Sequence, residues 1–439
     1  MKLPVFYLCI FSSLLTVRAE PPKKSGASTA PALSLNAVTE SVLASNPSIK
    51  EARAKWEAMK QRVPQARAWE DAKVTGSTLL GRFVTISPNG FTDQMLSVEQ
   101  MIPISGRNES RGRIAAAEAL GALEDVRRRE LDAVAKARAS YFRLAKDYAL
   151  LELNGANARS FQQTLDISRL KFEVGGQTQA DVLTAENELI KIEEARRDLV
   201  RAVSDEETQL RVVMNRDPFQ PLGKPAASAP LLSHAHLSID HLRGLIMSNR
   251  PEVRMSEAQV ASAKAKIELA KREWIPDPTI SLETQRYNGA AQAVSELSGG
   301  ISFNLPWLNG KKYRAEEAEA ARGLDAAQHA LDAARNEALG LLRDQLQKIE
   351  TFHHHVELSA ERLIPTARQT LEAYRANYET GKTTFLDLVL SERNLFDLEA
   401  MAREHRADYE MALAELEALV GADLHLFSPR DEATKRKKK

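Results

Sequence analysis

The sequence of this chain repeats itself over nearly its whole length. LSLN at residues 33–36 returns as LSID at residues 237–240, which is 204 residues later. FEVG at residues 172–175 returns as YETG at residues 378–381, which is 206 residues later. A unit of this size is far longer than the roughly 20 to 50 residues of one solenoid repeat. Each half of the chain is therefore expected to build the same structure.

The amino terminus is typical of an exported protein. Met1 and Lys2 precede an apolar run that ends near residue 17, and small residues around Ala19 fit a signal-peptidase site. The run is too short for a membrane-spanning helix. The single cysteine, Cys9, lies inside it. The mature chain therefore has no disulfide and no thiolate for metal binding or catalysis.

Long helices dominate the prediction. No proline occurs between Pro103 and Pro218, and apolar residues recur there with helical spacing. Gly175 and Gly176 divide the span into a longer and a shorter helix, and Pro365 predicts a kink in the second long helix. The predicted helices are 47–69, 107–174 and 178–214 in the first half, and 251–274, 311–379 and 384–420 in the second.

Two short regions alternate apolar and polar residues, as β-strands do. We predict strand hairpins at about 73–102 and 278–305, with ISLET at residues 280–284 as an example. The edge of a soluble β-sandwich would show the same pattern. A closed membrane barrel needs at least about eight strands, so four per chain are too few. Three copies would supply twelve, which favours a homotrimer.

These elements divide the chain into six parts. The two repeats are the structured parts, and the five charged residues at the carboxyl end have the composition of a disordered tail. The predicted parts are a signal peptide (1–19), a linker (20–32), a first repeat (33–217), a second linker (218–236), a second repeat (237–424) and a basic tail (425–439).

From about residue 33 to residue 424, this plan resembles the TolC family of trimeric outer-membrane efflux ducts. The resemblance implies a mainly α fold with a membrane β-barrel, in which duplicated helical hairpins form a trimeric α-barrel below twelve strands. It places the protein in the outer membrane of a Gram-negative bacterium, with a long periplasmic helical tunnel. The implied partners are outer-membrane lipid, a periplasmic adaptor (membrane fusion protein) and an inner-membrane pump of the RND type.

One segment resembles a particular branch of that family. IPDP at residues 275–278, with RPE at 250–252 before it and LPW at 305–307 after it, resembles the CzcC-type branch. That branch serves heavy-metal export. The expected function is therefore a passive duct for small solutes, including heavy-metal cations, with drug efflux and type I protein secretion as alternatives.

Both helix reversals carry a glycine followed by a Thr-x-x-Asp pattern, which predicts a left-handed helix end and a capped helix start. Such motifs can serve only to make a turn. In the family, however, these tips also close the tunnel and dock the adaptor. By resemblance, the gate residues are Asp181, Tyr378 and Asp387, with Tyr378 and Asp181 as a linked pair. The docking residues are Val174, Gly175, Gly176, Thr380, Gly381 and Lys382.

One departure from the family pattern lies beside the second tip. Thr383 stands where the best-known gate of the family has an arginine, and Lys382 precedes it. The contacts that close the mouth are therefore expected to differ.

The remaining candidates for chemistry are histidines. His353, His354 and His355 are adjacent, and successive helical residues point about 100° apart, so they cannot chelate one ion from a regular helix. His234, His236 and His241 lie in and beside the linker. We expect no metal site, no cofactor and no catalytic residue.

Two other classes of protein fit the sequence less well. A periplasmic coiled-coil adaptor or scaffold would share the long helices but would not need amphipathic strand hairpins in both halves. A hydrolase would need a nucleophile with a nearby base, and the sequence offers none. The formal net charge is zero, with 60 basic and 60 acidic residues, which gives no reason to expect a nucleic-acid partner.

Overall fold

The computed structural model describes residues 32–78, 92–226, 238–288 and 293–422. The predicted signal peptide, the basic tail, His234 and His236 lie outside these ranges, as does most of the loop of each strand hairpin. Within them, the α-helices are α1 (Leu35–Ser45), α2 (Pro47–Arg67), α3 (Arg107–Glu173), α4 (Gln179–Val213), α5 (Ile239–Asn249), α6 (Pro251–Arg272), α7 (Gly310–Leu358), α8 (Ile364–Glu379) and α9 (Phe385–Val420).

The six long helices predicted from the sequence are present, and their ends agree within two residues. The second long helix is interrupted by a π-helical segment, Ser359–Leu363, directly before Pro365. There the Ile364 N–H reaches back five residues to the Ser359 carbonyl. Proline cannot donate a backbone hydrogen bond and clashes with the preceding turn, so an interruption is expected at this point. The kink predicted at Pro365 stays a prediction, and the structure shows this π-helical interruption close to it.

The helices α1 and α5 were not predicted. Each has 11 residues and buries two apolar side chains one turn apart, Val38 and Val42 in α1 and Leu242 and Ile246 in α5. They are equivalent elements in the two halves. Each packs on the long helices of its own half, α1 on α3 and α5 on α7 and α9.

Short helices follow one another end to end beside the long ones. At the start of α2, Ser45 Oγ donates to the Met214 carbonyl at 2.6 Å and Asn46 Nδ2 donates to the Val213 carbonyl at 3.0 Å. Both carbonyls lie at the end of α4, so α2 continues the line of α4 along α3. At 1.5 Å per residue, α3 is about 100 Å long and α2 with α4 about 84 Å.

The strands form one antiparallel sheet that joins the two halves. Its strands are β1 (Lys73–Thr78), β2 (Thr92–Met101), β3 (Thr279–Asn288) and β4 (Ala293–Ser302), in the order β1-β2-β3-β4. The pairing of β2 with β3 connects the halves, with Val98 opposite Leu282. The two predicted strand hairpins are therefore present and lie side by side.

The register places apolar side chains on one face of this sheet. Residues paired across strands share a face, and so do residues two apart along a strand. On that basis the opposite face carries polar residues such as Ser281, Glu283 and Gln285. The large side chains of the apolar face are 40% to 72% exposed, and they are Val74, Leu96, Val98, Ile280, Leu282, Leu297 and Ile301.

The helical part holds three clusters of buried apolar residues. Among the described residues, one joins α5, α6, α7 and α9, a second joins α1, α3 and α4, and a third lies near the hairpin tips. No helix in the described ranges is both long enough and apolar enough to cross a membrane.

Candidate functional site at the hairpin tips

Both helical hairpins reverse direction through the same backbone geometry. Gly175 and Gly381 each have φ of +75°, the left-handed region that glycine adopts without strain. In each tip, the next residue's N–H donates to the carbonyl five residues before it, at 2.8 Å. The glycine's own N–H donates three residues back, at 3.0 Å and 3.2 Å. These two bonds define a Schellman motif, so the predicted helix ends are confirmed.

The helix after each reversal begins with a capping box. Thr178 Oγ1 donates to Asp181 Oδ2 at 2.8 Å, and Thr384 Oγ1 donates to Asp387 Oδ2 at 2.6 Å. The aspartate N–H donates back to the threonine hydroxyl in each box, at 3.4 Å and 3.3 Å. Both candidate gate aspartates therefore hold the start of their own helix, α4 or α9.

Asp387 has one more hydroxyl donor than Asp181. Thr383 Oγ1 also donates to Asp387 Oδ2, at 3.2 Å. The Thr384 side chain, the Thr384 N–H and then Thr383 hold the pKa of the Asp387 carboxyl below its usual value. Thr383 stands at the position where the family resemblance gives an arginine, and here it helps to keep a carboxylate ionised.

Tyr378 is buried between the two hairpins. Its side chain is 5% exposed, and its hydroxyl donates to Gln177 Oε1 at 2.5 Å. Lys171 Nζ lies 3.9 Å from the centre of the tyrosine ring and donates to the Tyr378 carbonyl at 2.6 Å. Tyr378 of the second tip is therefore fastened to the end of α3 and to the turn of the first tip.

The predicted link between Tyr378 and Asp181 is not made within the chain. The tyrosine hydroxyl goes to Gln177 instead, one residue before the capping threonine. Asp181 is engaged by Thr178, and the tyrosine ring packs against Phe385, with 6.0 Å between ring centroids. Sequence reasoning missed Gln177 because it belongs to no helix-capping pattern.

Each repeat has one arginine–glutamate pair close to its hairpin tip. Arg169 Nη2 donates to Glu186 Oε1 and Arg375 Nη2 donates to Glu392 Oε1, both at 2.6 Å. The four residues occupy equivalent positions in the two repeats, yet the Glu186 side chain is 38% exposed and that of Glu392 only 2%. Glu392 Oε1 also accepts a hydrogen bond from Thr164 of α3, at 3.0 Å. The second pair thus joins the halves.

A neighbouring carboxylate forms a further connection. Glu188 of α4 accepts from Arg393 Nε of α9 at 2.7 Å and from Lys191 Nζ at 3.0 Å. Burial raises the pKa of the Glu188 carboxyl, but the hydrogen bonds from Arg393 and Lys191 outweigh it and lower the pKa overall. The first and second hairpins are therefore tied together at two buried glutamates.

The candidate docking residues lie at the exposed ends of the hairpins. Val174 is 82% exposed, and Gly176, Thr380 and Lys382 are also exposed. Thr380 Oγ1 donates to the Asn377 carbonyl at 3.1 Å, so its hydroxyl is used within the turn. Exposed apolar residues that the sequence reasoning did not include surround them: Leu170, Phe172, Leu183, Leu386 and Leu390.

The adjacent histidines of α7 do not converge on one point. The His355 ring lies against His405 of α9, tilted by 35° and with 4.7 Å between ring centroids, whereas His353 lies near Tyr409. Among the described residues, no group of three or more His, Cys, Asp or Glu side chains is placed to hold a metal ion. Burial, and then the charge of His355, lower the pKa of His405 despite Glu404 and Asp408.

The IPDP segment, residues 275–278, connects α6 to β3. Asp277 accepts hydrogen bonds from the Ser105 N–H at 2.7 Å and from the Ser105 hydroxyl at 2.8 Å. Arg107 Nη2 lies 3.0 Å from Asp277 Oδ2, and Arg107 Nη1 donates to Glu273 Oε2 at 2.8 Å. The segment therefore fastens the second half to the start of α3.

Comparison with known proteins gives the same plan. The family profile described as "Outer membrane efflux protein" matches residues 38–216 and 242–422. Alkaline protease secretion protein AprF of Pseudomonas aeruginosa is 22% identical over 377 residues, which are 83% of this chain and 77% of that protein. Nodulation protein T of Rhizobium leguminosarum bv. viciae is 25% identical over 266 residues, and the match spans 57% of this chain and about half, 52%, of that relative.

The architecture is also similar to solved structures. A crystal structure of CusC, described in connection with transmembrane channel formation, superposes with a TM-score of 0.75 at 15% identity. The match covers 89% of this chain and 92% of CusC. The predicted fold is therefore confirmed: the chain is mainly α, with TolC-like duplicated helical hairpins and four strands.

Proposed function

The chain belongs to the outer membrane efflux protein family, and we propose that it is the outer-membrane channel of a tripartite efflux system, a passive duct from periplasm to outside. The observation that carries this proposal is the sheet with one apolar and one polar face. The apolar side chains are exposed within the chain, as expected of strands that face lipid while the polar face lines a water-filled interior.

The duct is proposed to be a homotrimer in the outer membrane of a Gram-negative bacterium. Four strands per chain would make a twelve-stranded barrel in three copies, above the minimum of about eight. Chemical cross-linking of detergent-extracted protein should give a threefold species in the membrane fraction. A monomer recovered in the soluble periplasmic fraction would contradict the proposal.

The periplasmic mouth is proposed to be held nearly shut by Asp181, Tyr378 and Asp387. In a trimer, an inward-facing acid becomes a ring of three charges, which concentrates cations in a narrow opening. The hydroxyl donors around Asp387 support this role because they keep the carboxylate ionised. In planar bilayers, Asp387→Ala should weaken cation preference. Unchanged cation selectivity in Asp387→Ala would show that Asp387 only caps its helix.

The tips are proposed to dock a periplasmic adaptor that connects the duct to an inner-membrane pump of the RND type. The proposed contact comprises Val174, Gly175, Gly176, Thr380, Gly381 and Lys382. Support comes from the 82% exposure of Val174 and from the exposed apolar residues around it. A cysteine at Val174 should cross-link to the adaptor in cells, whereas one at exposed Val200, on the same hairpin in α4, should not.

For cargo, we propose small solutes and, from the CzcC-like segments, heavy-metal cations. Deletion of the gene should then increase sensitivity to divalent heavy-metal cations. The second candidate is type I protein secretion, favoured by the similarity to a protease secretion protein. Loss of a secreted protein from the medium, with unchanged metal and drug sensitivity, would select that alternative.

A further inference from the structure

A large groove lies well away from the hairpin tips and none of the candidate gate or docking residues lines it. It is an open cavity of about 960 Å³ between α3, α4, α9 and the segment at residues 224–226. Arg159, which lines the groove, lies in α3, 15 residues before Val174 at the end of that helix. This separation corresponds to about 22 Å along the helix axis. The groove is therefore a separate feature of the molecule.

Basic side chains outnumber acidic ones in its lining, and one of them, Lys146, pairs with Asp147 at 3.3 Å. Only Glu152 and Glu410 oppose them, whereas the chain as a whole has equal numbers of basic and acidic residues. The groove therefore concentrates positive charge that composition does not predict. The six basic residues of the lining are Lys146, Arg159, Arg196, Lys224, Arg403 and Arg406.

Several of these charges remain available to a ligand. Within the described residues, Arg159 and Arg196 are exposed and have no acidic side chain within ion-pair distance. Arg403 Nη1 donates to the Glu399 carbonyl at 2.8 Å, a bond that leaves its charge uncompensated. Burial raises the pKa of Glu410 above its usual value despite the nearby Arg406.

One of the residues that line the groove is a glycine, Gly155. Gly155 lies in the interior of α3, where glycine destabilises a helix by roughly 0.5–1 kcal/mol relative to alanine. A Cβ atom at this position would lie 3.8 Å from Arg159 Nη1. The missing side chain leaves space next to the guanidinium that a ligand can occupy.

We propose that this groove binds a multivalent oxyanion, a molecule with two or more carboxylate or phosphate groups. Arg159 on α3 and Arg196 on α4 would each bind one such group, because the planar guanidinium pairs with carboxylate and phosphate oxygens through two parallel hydrogen bonds. A monovalent anion would engage only one of them. This inference goes beyond the proposed duct function and does not depend on the cargo.

Isothermal titration calorimetry on the full chain in non-ionic detergent tests the proposal, with citrate and pyrophosphate as probes and chloride as the monovalent reference. We expect saturable binding of at least one probe and none of chloride. Citrate alone would identify carboxylates as the ligand class, and pyrophosphate alone would identify phosphates. Absence of saturable binding for both probes would overturn the proposal.

Amino-acid substitutions distinguish ligand binding in the groove from binding to positive charge elsewhere on the surface. Arg159→Gln combined with Arg196→Gln should weaken binding at least tenfold. Arg197→Gln is the matched control, because Arg197 is the next residue of α4, is 82% exposed and pairs with Glu193. Gly155→Leu should also weaken binding at least tenfold, and circular dichroism should show an unchanged helix content, since leucine is the better helix former. An equal loss in Arg197→Gln and in the double variant would refute the site.

Discussion

The Tyr378 hydroxyl donates a hydrogen bond to Gln177 Oε1, so the second helical hairpin holds the turn of the first. The two residues are 201 positions apart in the chain. Lys171 adds to the connection by lying over the tyrosine ring while it donates to the tyrosine's carbonyl. The two tips therefore act as one unit, and a change at Tyr378 affects both.

Tyr378→Phe should loosen this connection while it preserves the buried ring. The loss of one hydrogen bond should lower the stability of the closed tips by about 0.5–1.5 kcal/mol. The side-chain amide of Gln177 can then form a hydrogen bond with water. Single-channel conductance in planar bilayers should rise as the closed mouth becomes less stable. Tyr374→Phe, one turn earlier on α8 and with no hydrogen bond from its hydroxyl among the described residues, is the matched control. Equal conductance of Tyr378→Phe and Tyr374→Phe would show that the hydrogen bond from Tyr378 to Gln177 does not help to close the mouth.

The two equivalent arginine–glutamate pairs should differ in stability. Arg375→Ala leaves the nearly buried Glu392 carboxylate without its cation, which should cost about 1–3 kcal/mol. Arg169→Ala breaks a pair that is exposed to water and should cost less than about 1 kcal/mol. Thermal unfolding of the two variants, in the same detergent, measures the difference. A larger loss for Arg169→Ala would contradict the burial argument.

The left-handed glycines should be sensitive to a side chain. Gly381→Ala should destabilise its tip by about 1–2 kcal/mol, because a Cβ atom disfavours positive φ. No atom lies within 4 Å of the added Cβ, so backbone strain is the sole expected cause. Gly176→Ala is the control, since Gly176 does not have a positive φ. Hydrogen exchange at the tips should rise in the first variant and remain unchanged in the second.

Acid should destabilise the protein partly through His405. Its folded-state pKa lies below the ordinary value of 6.5, so the unfolded chain binds more protons and folding stability falls as the pH drops below about 6.5. The loss stops growing once the pH falls below the folded-state pKa. His405→Gln should therefore flatten the dependence of melting temperature on pH below about 6.5. His354→Gln, at an exposed position, should retain the wild-type slope.

The helices and tips could be predicted because their causes are local. A long run without proline, a glycine after the last turn and a Thr-x-x-Asp start each act within a few residues. Strand alternation likewise predicted both hairpins. The short helices α1 and α5 were missed because 11 residues give only two buried positions each, and packing on the long helices stabilises them.

Contacts between the halves could not be predicted in the same way. The partner of Tyr378 depends on how two hairpins pack, and the turn and capping patterns on either side of Gln177 do not identify Gln177 as that partner. The same holds for the different burial of Glu186 and Glu392, which occupy equivalent sequence positions. The contact of His355 with His405 depends on the alignment of α7 with α9.

The π-helical segment Ser359–Leu363 lies in the longer of the two equivalent long helices. Arg107 and Lys311 are 204 residues apart, but Phe172 and Tyr378 are 206 apart, so the second long helix contains two additional residues. In a regular α-helix, each additional residue rotates everything beyond it by about 100°. A wider turn takes up added residues with less rotation. The Ser359–Leu363 turn therefore holds one residue more than a regular α-helical turn, and a chain shortened by one residue there is expected to close into a continuous α-helix.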